Sequence, residues 1–274
     1  MAKIFILTFV PLALLISGCN SFFYYPDSHL YYPPDEHGLR SPKEIELSSS
    51  DNVTLAAWLF KSNSKTKGTI IQFHGNAQNM SSHYSHLYWV TEKGFNLFTF
   101  DYSGYGVSES KPTPLRTVQD GEVALKKAYS EHLAAGGGKF IVYAESLGGI
   151  IALRSLENVN IPLDLLVLDS TFSSYKRVAY TVTKSNWLTW MFSPLVRVFT
   201  SDKLAPTLFT KKSFAPTIVI HSQYDSVVPY SQGLHLYQEL TEPKELWTLE
   251  NKGHVGTFQS NENRIKFIDR VEKL

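Results

Sequence analysis

Eight short apolar, β-rich runs alternate with helix-length segments from residue 43 onward, and this alternation constrains the fold more than any other feature of the chain. The runs cover residues 44–47, 53–60, 69–73, 96–100, 139–143, 164–168, 217–221 and 245–249. The first two are separated only by residues 48–52, which predicts a hairpin. The later runs alternate with helical segments, which predicts a mostly parallel eight-stranded α/β sheet with right-handed crossovers and helices on both faces.

The segments between these runs predict helices and one insert. Helices are expected at residues 81–93, 115–132, 147–157, 233–240 and 262–274. A longer insert at residues 170–213 lacks a strand pattern and carries Trp187, Trp190, Met191 and Phe192. We expect a small helical cap over an apolar pocket, because aromatic side chains at a site mouth suit an apolar substrate. The alternative is a pair of connecting helices with ordinary core contacts.

The first 18 residues have the pattern of a signal peptide. Lys3 is their only charge, residues 4–16 form an apolar run, and Ser17 and Gly18 are small. In a helix this run would span roughly 20 Å, short of the roughly 30 Å hydrocarbon core, so a signal peptide fits better than a spanning helix.

The sequence ending at Cys19, Leu-Ile-Ser-Gly-Cys, resembles the bacterial lipoprotein signal. That resemblance implies a lipidated Cys19 and a lipid-anchored protein of the bacterial cell envelope, with Asn20 favouring the outer membrane. An uncleaved anchor and plain secretion with an incidental free cysteine are the alternatives. Residues 19–42 are interpreted as a tether and first loop outside the core, and residues 43–274 as one domain.

Charge and cysteine content exclude several classes of function. The 26 basic residues nearly balance the 25 acidic ones, and no basic cluster is dense enough to predict a nucleic-acid partner. Cys19 is the only cysteine, so the chain builds neither an intramolecular disulfide nor a thiolate metal cluster. We assign no cofactor and no metal to the predicted site, and protein partners stay unknown.

Ser146 is the candidate nucleophile. It lies between a β-rich run and an apolar helix, in Ala144-Glu-Ser-Leu-Gly148. A serine hydroxyl needs an adjacent base and an exposed position on a tight strand-to-helix turn, and small neighbours allow such a turn. A serine that only caps the following helix is the alternative.

Two further segments carry the candidate base and acid. His254 lies in the glycine-bordered loop Lys252-Gly-His-Val-Gly256, after the last strand. Asp225 follows the strand at residues 217–221, and Asp169 is its rival at the end of an earlier strand. We favour Asp225, which would hold the imidazole tautomer and stabilise the imidazolium. A turn-forming aspartate and a surface histidine are the alternatives.

These segments resemble the α/β-hydrolase superfamily, in its monoglyceride-lipase, serine-aminopeptidase and depalmitoylase-like branch. The first segment matches the family's Gly-x-Ser-x-Gly elbow, with Ala144 at the first glycine, and the order Ser146, Asp225, His254 is the one that the fold uses. The resemblance covers the chain from about Lys43 to the end and also includes Asp101-Tyr-Ser-Gly-Tyr-Gly. Ser103 stands there where arginine is common, and Asp101 is interpreted as a loop organiser.

The resemblance also implies an oxyanion hole and a reaction. The turn after the strand at 69–73 supplies one donor and the residue after the nucleophile the other, so the backbone N–H groups of Asn76 and Leu147 are carried over. His74 is interpreted as structural. We expect a serine hydrolase cleaving carboxylic esters or thioesters of acyl or lipid-like substrates. An aminopeptidase-like amide hydrolase and a non-catalytic envelope binding protein are the alternatives.

Overall fold

A single eight-stranded sheet organises the chain in the computed structural model, which describes residues 23–185, 190–205, 214–250 and 252–274. The strands are β1 (Lys43–Ser48), β2 (Thr54–Phe60), β3 (Gly68–Phe73), β4 (Phe95–Phe100), β5 (Lys139–Glu145), β6 (Leu165–Asp169), β7 (Thr217–Ser222) and β8 (Lys244–Leu249). Their order in the sheet is β1-β2-β4-β3-β5-β6-β7-β8. The hairpin β1–β2 and the pair β2–β4 are antiparallel, and all other pairs are parallel. The predicted mostly parallel sheet of the α/β-hydrolase fold is confirmed.

The helices are α1 (Met80–His83), α2 (Pro114–Ala134), α3 (Leu147–Asn158), α4 (Tyr175–Ser185), α5 (Ser193–Phe199), α6 (Tyr230–Glu239) and α7 (Asn261–Glu272). The prediction of one helix over residues 81–93 is wrong. Only α1 is α-helical there, and two 3-10 segments, Tyr84–His86 and Tyr88–Lys93, follow it. Side chains of Ser85, Trp89 and Thr91 donate to carbonyl oxygens three residues back, which competes with regular helical pairing.

Two hydrophobic cores lie on the two faces of the sheet. Along β5, Phe140, Val142 and Ala144 belong to one core, whereas Ile141 and Tyr143 belong to the other. Successive side chains of a strand point to opposite faces, so a strand buried on both sides is apolar throughout. Residues of α2, α3 and α6 complete the first core, and residues of α7 complete the second.

The N-terminal segment, residues 23–42, packs on the domain more closely than a tether does. Tyr24 is buried in the first core, and its hydroxyl is 3.2 Å from that of Tyr175. Asn79 donates to the carbonyl oxygens of Asp27 and His29, which fixes the next stretch of the segment. Tyr24 is therefore an exception to the expectation that this stretch lies outside the core. Residues 1–22, including the predicted signal peptide and Cys19, lie outside the described residues.

The insert at residues 170–213 forms α4 and α5 in its described part. Trp190, Met191 and Phe192 are each more than half exposed. None of the three lines the cavity at Ser146, whereas other residues of the insert, on α4 and α5, do line it. Trp187 and residues 206–213 lie outside the described residues. Among the described helices, none combines the length and the apolar character that a membrane crossing requires.

Candidate active site

Ser146 stands on a strained turn between β5 and α3. Its backbone has φ 51° and ψ −118°, outside the regions that residues with a side chain normally adopt. Neighbouring strands hold this conformation, because the Ser146 N–H donates to the Asp169 carbonyl at 2.8 Å and the Thr171 hydroxyl donates to the Ser146 carbonyl. Strain of this kind persists only where the surroundings impose it, and it is common at active sites.

Small residues on either side of Ser146 make the turn possible. A Cβ atom on Gly148 would lie 2.3 Å from the Phe73 carbonyl oxygen, so any residue larger than glycine would clash with the backbone there. Ala144 is fully buried within the first core, so alanine fits where the family has its first glycine. The sequence departure at this position leaves the turn intact.

We call residues 75–78, which follow β3 and face Ser146, the oxyanion turn after the predicted role of Asn76. A Cβ atom on Gly75 would lie 3.5 Å from Cβ of Ser146, so the two segments are in contact. Asn76, Ser146 and Leu147 line the same cavity. In the described part of the chain, neither the Asn76 nor the Leu147 N–H donates a hydrogen bond to another group. The structure thus brings Asn76 and Leu147, the predicted pair of donors, to the same cavity as the nucleophile.

His254 is oriented by Asp225. Its Nδ1 lies 2.7 Å from Oδ2 of the carboxylate, which is fully buried, while the imidazole is one-fifth exposed. The other carboxylate oxygen accepts the backbone N–H groups of Val227 and Val228. The structure therefore brings together the predicted base and acid, which lie 29 positions apart in the chain.

Asp225 is held in its ionised form. Burial alone would raise its pKa, but hydrogen bonds from His221 and His254 and from the Val228 N–H hold that pKa well below the ordinary range. Because the ionised carboxylate only accepts, Nδ1 of the neutral imidazole carries the proton. The other nitrogen, Nε2, is then the one that can accept a proton. This is the tautomer that a general base beside a serine requires.

The loop of His254 is attached beside the nucleophile. The Val255 N–H donates to the Ser170 hydroxyl at 3.1 Å, and Ser170 follows the Asp169 whose carbonyl holds Ser146. Within the residues that the structure covers, no hydrogen bond of 3.5 Å or less joins His254 to the Ser146 hydroxyl. Such contacts are often long without substrate and tighten in the complex.

The other candidates of the sequence take structural positions. Asp169 accepts from the hydroxyls of Tyr143 and Ser170, and burial raises its pKa, so it is not the partner of His254. Asp101 accepts from the Met80 N–H at 2.7 Å, as expected of a loop organiser. His74 is fully buried, with its ring 4.4 Å from that of Tyr102.

An apolar cavity of about 520 Å³ opens at Ser146. Its lining includes Phe23 and Tyr25 of the N-terminal segment and residues of α4 and α5, such as Val182 and Phe199. Sequence reasoning did not assign any wall of the site to the N-terminal segment. The aromatic pairs of residues 22–32 were the available signal.

A second cluster of titratable groups was not predicted from the sequence. We call it the elbow cluster: Glu145, which precedes the nucleophile, with His83, His86 and Gln72. Glu145 occupies a variable position of the elbow pattern, and its partners lie at least 59 positions away. The spacing of three between His83 and His86 was the only signal available.

Strand order, the strained serine and its neighbours define a hydrolase of the α/β-hydrolase fold. A family model described as serine aminopeptidase, S33 matches residues 64–213, more than half of the chain. The chain therefore belongs to the serine aminopeptidase S33 family of hydrolases.

Individual proteins are similar to this chain over most of its length. The uncharacterized protein YfhR of Escherichia coli K12 is 28% identical over 255 residues, covering 89% of this chain and 83% of YfhR. The esterase Pf2001 of Pyrococcus furiosus superposes with a TM-score of 0.71 at 20% identity, covering 92% of this chain and 96% of the esterase. The acylaminoacyl peptidase of Pyrococcus horikoshii has a TM-score of 0.65 at 21% identity, covering 87% of this chain and 42% of the peptidase. At these identities the two structures are similar in fold alone.

Proposed function

We propose that this chain is a serine esterase or thioesterase that acts on acyl substrates through Ser146, His254 and Asp225. The observation that carries the proposal is the strained Ser146 at the mouth of an apolar cavity, with an Asp225-bound imidazole on the adjacent loop. Nucleophile, base and orienting acid are each supplied by the end of a different strand, as in other α/β-hydrolases.

The proposed reaction proceeds in two halves. His254 Nε2 takes the proton from the Ser146 hydroxyl as the oxygen attacks the substrate carbonyl carbon. The negative charge on the former carbonyl oxygen is stabilised by the N–H groups of Asn76 and Leu147. His254 then returns the proton to the leaving alcohol or thiol as the acyl-enzyme forms. Water gives a proton to the same imidazole as it attacks the acyl carbon, the bond between that carbon and the Ser146 oxygen breaks, and the imidazolium returns the proton to this oxygen, which releases the carboxylic acid and the free serine.

The shape and lining of the cavity support acyl chains as substrates. Its volume of about 520 Å³ lies in the range of small-molecule sites, and aliphatic and aromatic side chains dominate its walls. An acyl chain of medium length would bury apolar surface there at about 25 cal/mol per Å². A charged head group would find few partners inside.

The proposal includes a membrane anchor at Cys19. Phe23, the first described residue, contacts the rings of Phe172 and Tyr175 beside the cavity. Four residues span at most roughly 14 Å, so a lipid on Cys19 would hold the cavity close to a bacterial envelope membrane. Metabolic labelling with an alkyne fatty acid tests this. We expect label in the membrane fraction of wild type and its loss in Cys19→Ser, whereas equal labelling of both proteins would contradict the anchor.

An amide-cleaving peptidase is the second candidate, favoured by the description of the matching family model. Both functions use the same Ser146, so the substrate decides between them. We suggest a panel of p-nitrophenyl esters of graded chain length and of amino-acid amides, each assayed with wild type and Ser146→Ala. Faster turnover of esters, abolished in the variant, is the expected result. Faster turnover of amides would replace the esterase proposal with the peptidase.

A further inference from the structure

The elbow cluster holds a buried charge on Glu145, the residue that precedes the nucleophile. The Glu145 carboxylate is fully buried and lies 2.8 Å from His83 Nδ1 and 3.0 Å from His86 Nδ1. Burial would raise its pKa, but the charge of His86 and hydrogen bonds from both imidazoles hold that pKa well below its ordinary value. A buried carboxylate is costly unless it is paired, so this cluster has a fixed geometry.

His83 extends the cluster to the oxyanion turn. Its Nε2 lies 3.3 Å from the carbonyl oxygen of Ala77, one residue after the proposed donor Asn76. An ionised carboxylate and a carbonyl oxygen both only accept, so both contacts are hydrogen bonds only when His83 carries both ring protons as an imidazolium. Burial lowers the pKa of His83, although the hydrogen bond and charge of Glu145 act in the opposite direction. In the neutral imidazole, Nδ1–H keeps the bond to Glu145 and Nε2 only packs against the turn. One imidazole thus contacts Glu145, which precedes the nucleophile, with one nitrogen and the turn with the other.

The turn needs such support. Ala77 and Gln78 both have left-handed backbone, with φ of 63° and 55°, although neither is glycine. Conformations of this kind cost free energy and persist where neighbours impose them. The His83 ring also packs under the turn, because a Cβ atom on Gly75 would lie 3.4 Å from its Cε1.

We propose that His83 is a positioning residue, which bridges Glu145 and the Ala77 carbonyl and thereby fixes the oxyanion turn relative to the nucleophile. The inference rests on the proposed function, since it concerns the donor of Asn76. Without the bridge the turn shifts, and the Asn76 N–H no longer meets the developing oxyanion. A displacement of about 1 Å lowers rates by about 100-fold, and loss of one such donor by about 100- to 1000-fold.

A metal centre is the competing explanation, because ligand atoms of His83, His86 and Glu145 all lie within 4.8 Å of one another. The direct nitrogen–oxygen distances are those of hydrogen bonds, and a metal centre leaves the Ala77 contact unexplained. Treatment of wild type with EDTA, followed by Zn²⁺, separates the two. Unchanged kcat supports positioning, whereas loss with EDTA and recovery with Zn²⁺ would overturn it.

Two substitutions of His83 separate the bridge from the stability of the fold. In His83→Asn the amide approximates Nδ1 and keeps a donor for Glu145, but nothing reaches Ala77. In His83→Gln the amide approximates Nε2 and keeps a donor for Ala77. We expect His83→Asn to lower kcat for a p-nitrophenyl ester by about 10- to 100-fold, with KM within twofold of wild type. We expect kcat of His83→Gln to be at least about fivefold higher than that of His83→Asn.

His132→Phe is the matched control. His132 is also a buried histidine, with Nδ1 3.2 Å from the Thr69 hydroxyl, but it lies on α2 away from the turn. We expect this variant to keep kcat within twofold. If His83→Asn keeps the wild-type kcat, or if its loss appears in KM with kcat unchanged, the bridge does not position the turn.

Failure of the inference differs from failure of the proposed function. Ser146→Ala, assayed beside these variants, loses ester hydrolysis if the proposed function holds. An inactive wild type or an active Ser146→Ala would refute the proposed function itself. Wild-type kcat in His83→Asn together with an inactive Ser146→Ala would refute only the positioning role.

Discussion

The molecule holds two buried carboxylates that each engage a pair of histidines, and their contacts differ. We call Asp225 with His221 and His254 the loop cluster, in contrast to the elbow cluster around Glu145. Both carboxylates have a pKa held well below the ordinary range. In the loop cluster, His254 uses only Nδ1, and its Nε2 makes no hydrogen bond within the described residues. In the elbow cluster, His86 is bound to Glu145 through Nδ1, whereas both nitrogens of His83 have a partner.

The difference between His254 and His83 distinguishes an imidazole that can transfer a proton from one that supports its neighbours. An imidazole with one nitrogen free can exchange a proton with a substrate, whereas one bound at both nitrogens can only hold its neighbours. The space around the two histidines also differs. A Cβ atom on Gly253, beside His254, would meet nothing within 4 Å, whereas the ring of His83 packs against Gly75. A buried histidine–carboxylate pair is therefore no evidence of catalysis until the second nitrogen is located.

The largest expected effect is in the loop cluster. His254→Ala should lower kcat by about 10⁶-fold, because both halves of the proposed reaction need its proton transfers. Steady-state ester hydrolysis measures this, with circular dichroism to verify the fold. Retention of more than a hundredth of the wild-type kcat would show that another group serves as base.

The next effect distinguishes the two candidate acids. Asp225→Asn should lower kcat by about 10⁴-fold, because an amide stabilises the wrong tautomer of His254. Asp169→Asn changes a residue bound to Tyr143 and should leave kcat within tenfold. Assays of the two variants side by side give the ratio. A larger loss in Asp169→Asn would reverse the assignment of the acid.

The elbow cluster should affect stability in a pH-dependent way. Glu145→Gln should lower the free energy of unfolding by about 3 kcal/mol at pH 7, because the buried His83 and the partly exposed His86 lose a charged acceptor. The folded-state pKa of Glu145 lies below the ordinary 4.5, so the folded protein binds this proton more weakly than the unfolded chain does. The stabilisation is complete above the unfolded value of 4.5 and is lost progressively as the pH falls from there through the lower folded-state pKa. Urea titrations between pH 7 and pH 3 should show the difference shrinking, and a growing difference would contradict the buried charge.

The smallest expected effect concerns the wall of the cavity. Phe23→Ala should raise KM for a dodecanoyl ester by about tenfold and leave acetyl ester hydrolysis unchanged, because only a long chain reaches that wall. The ratio of kcat/KM for the two esters is the measurement. An equal loss for both would mean that Phe23 acts through the fold.

Strand order and the positions of the loop cluster were predictable because each candidate follows a strand. Parallel strands end at one edge of the sheet, so Ser146, Asp225 and His254 had to meet there despite their separation in sequence. The elbow cluster was not predictable, because the pairing of Glu145 with His83 depends on how the segment after α1 departs from a regular helix. The burial of Tyr24 was missed for a related reason, since a segment without periodic pattern gives no sign of what it packs against.

Labelling with a fluorophosphonate probe, followed by peptide mass spectrometry, tests the central claim most directly. The probe reacts with a serine that a neighbouring base activates, so we expect a single adduct on the peptide containing Ser146. We also expect its loss in Ser146→Ala and its strong reduction in His254→Ala. An adduct on another residue, or equal labelling of Ser146→Ala, would contradict the assignment of the nucleophile.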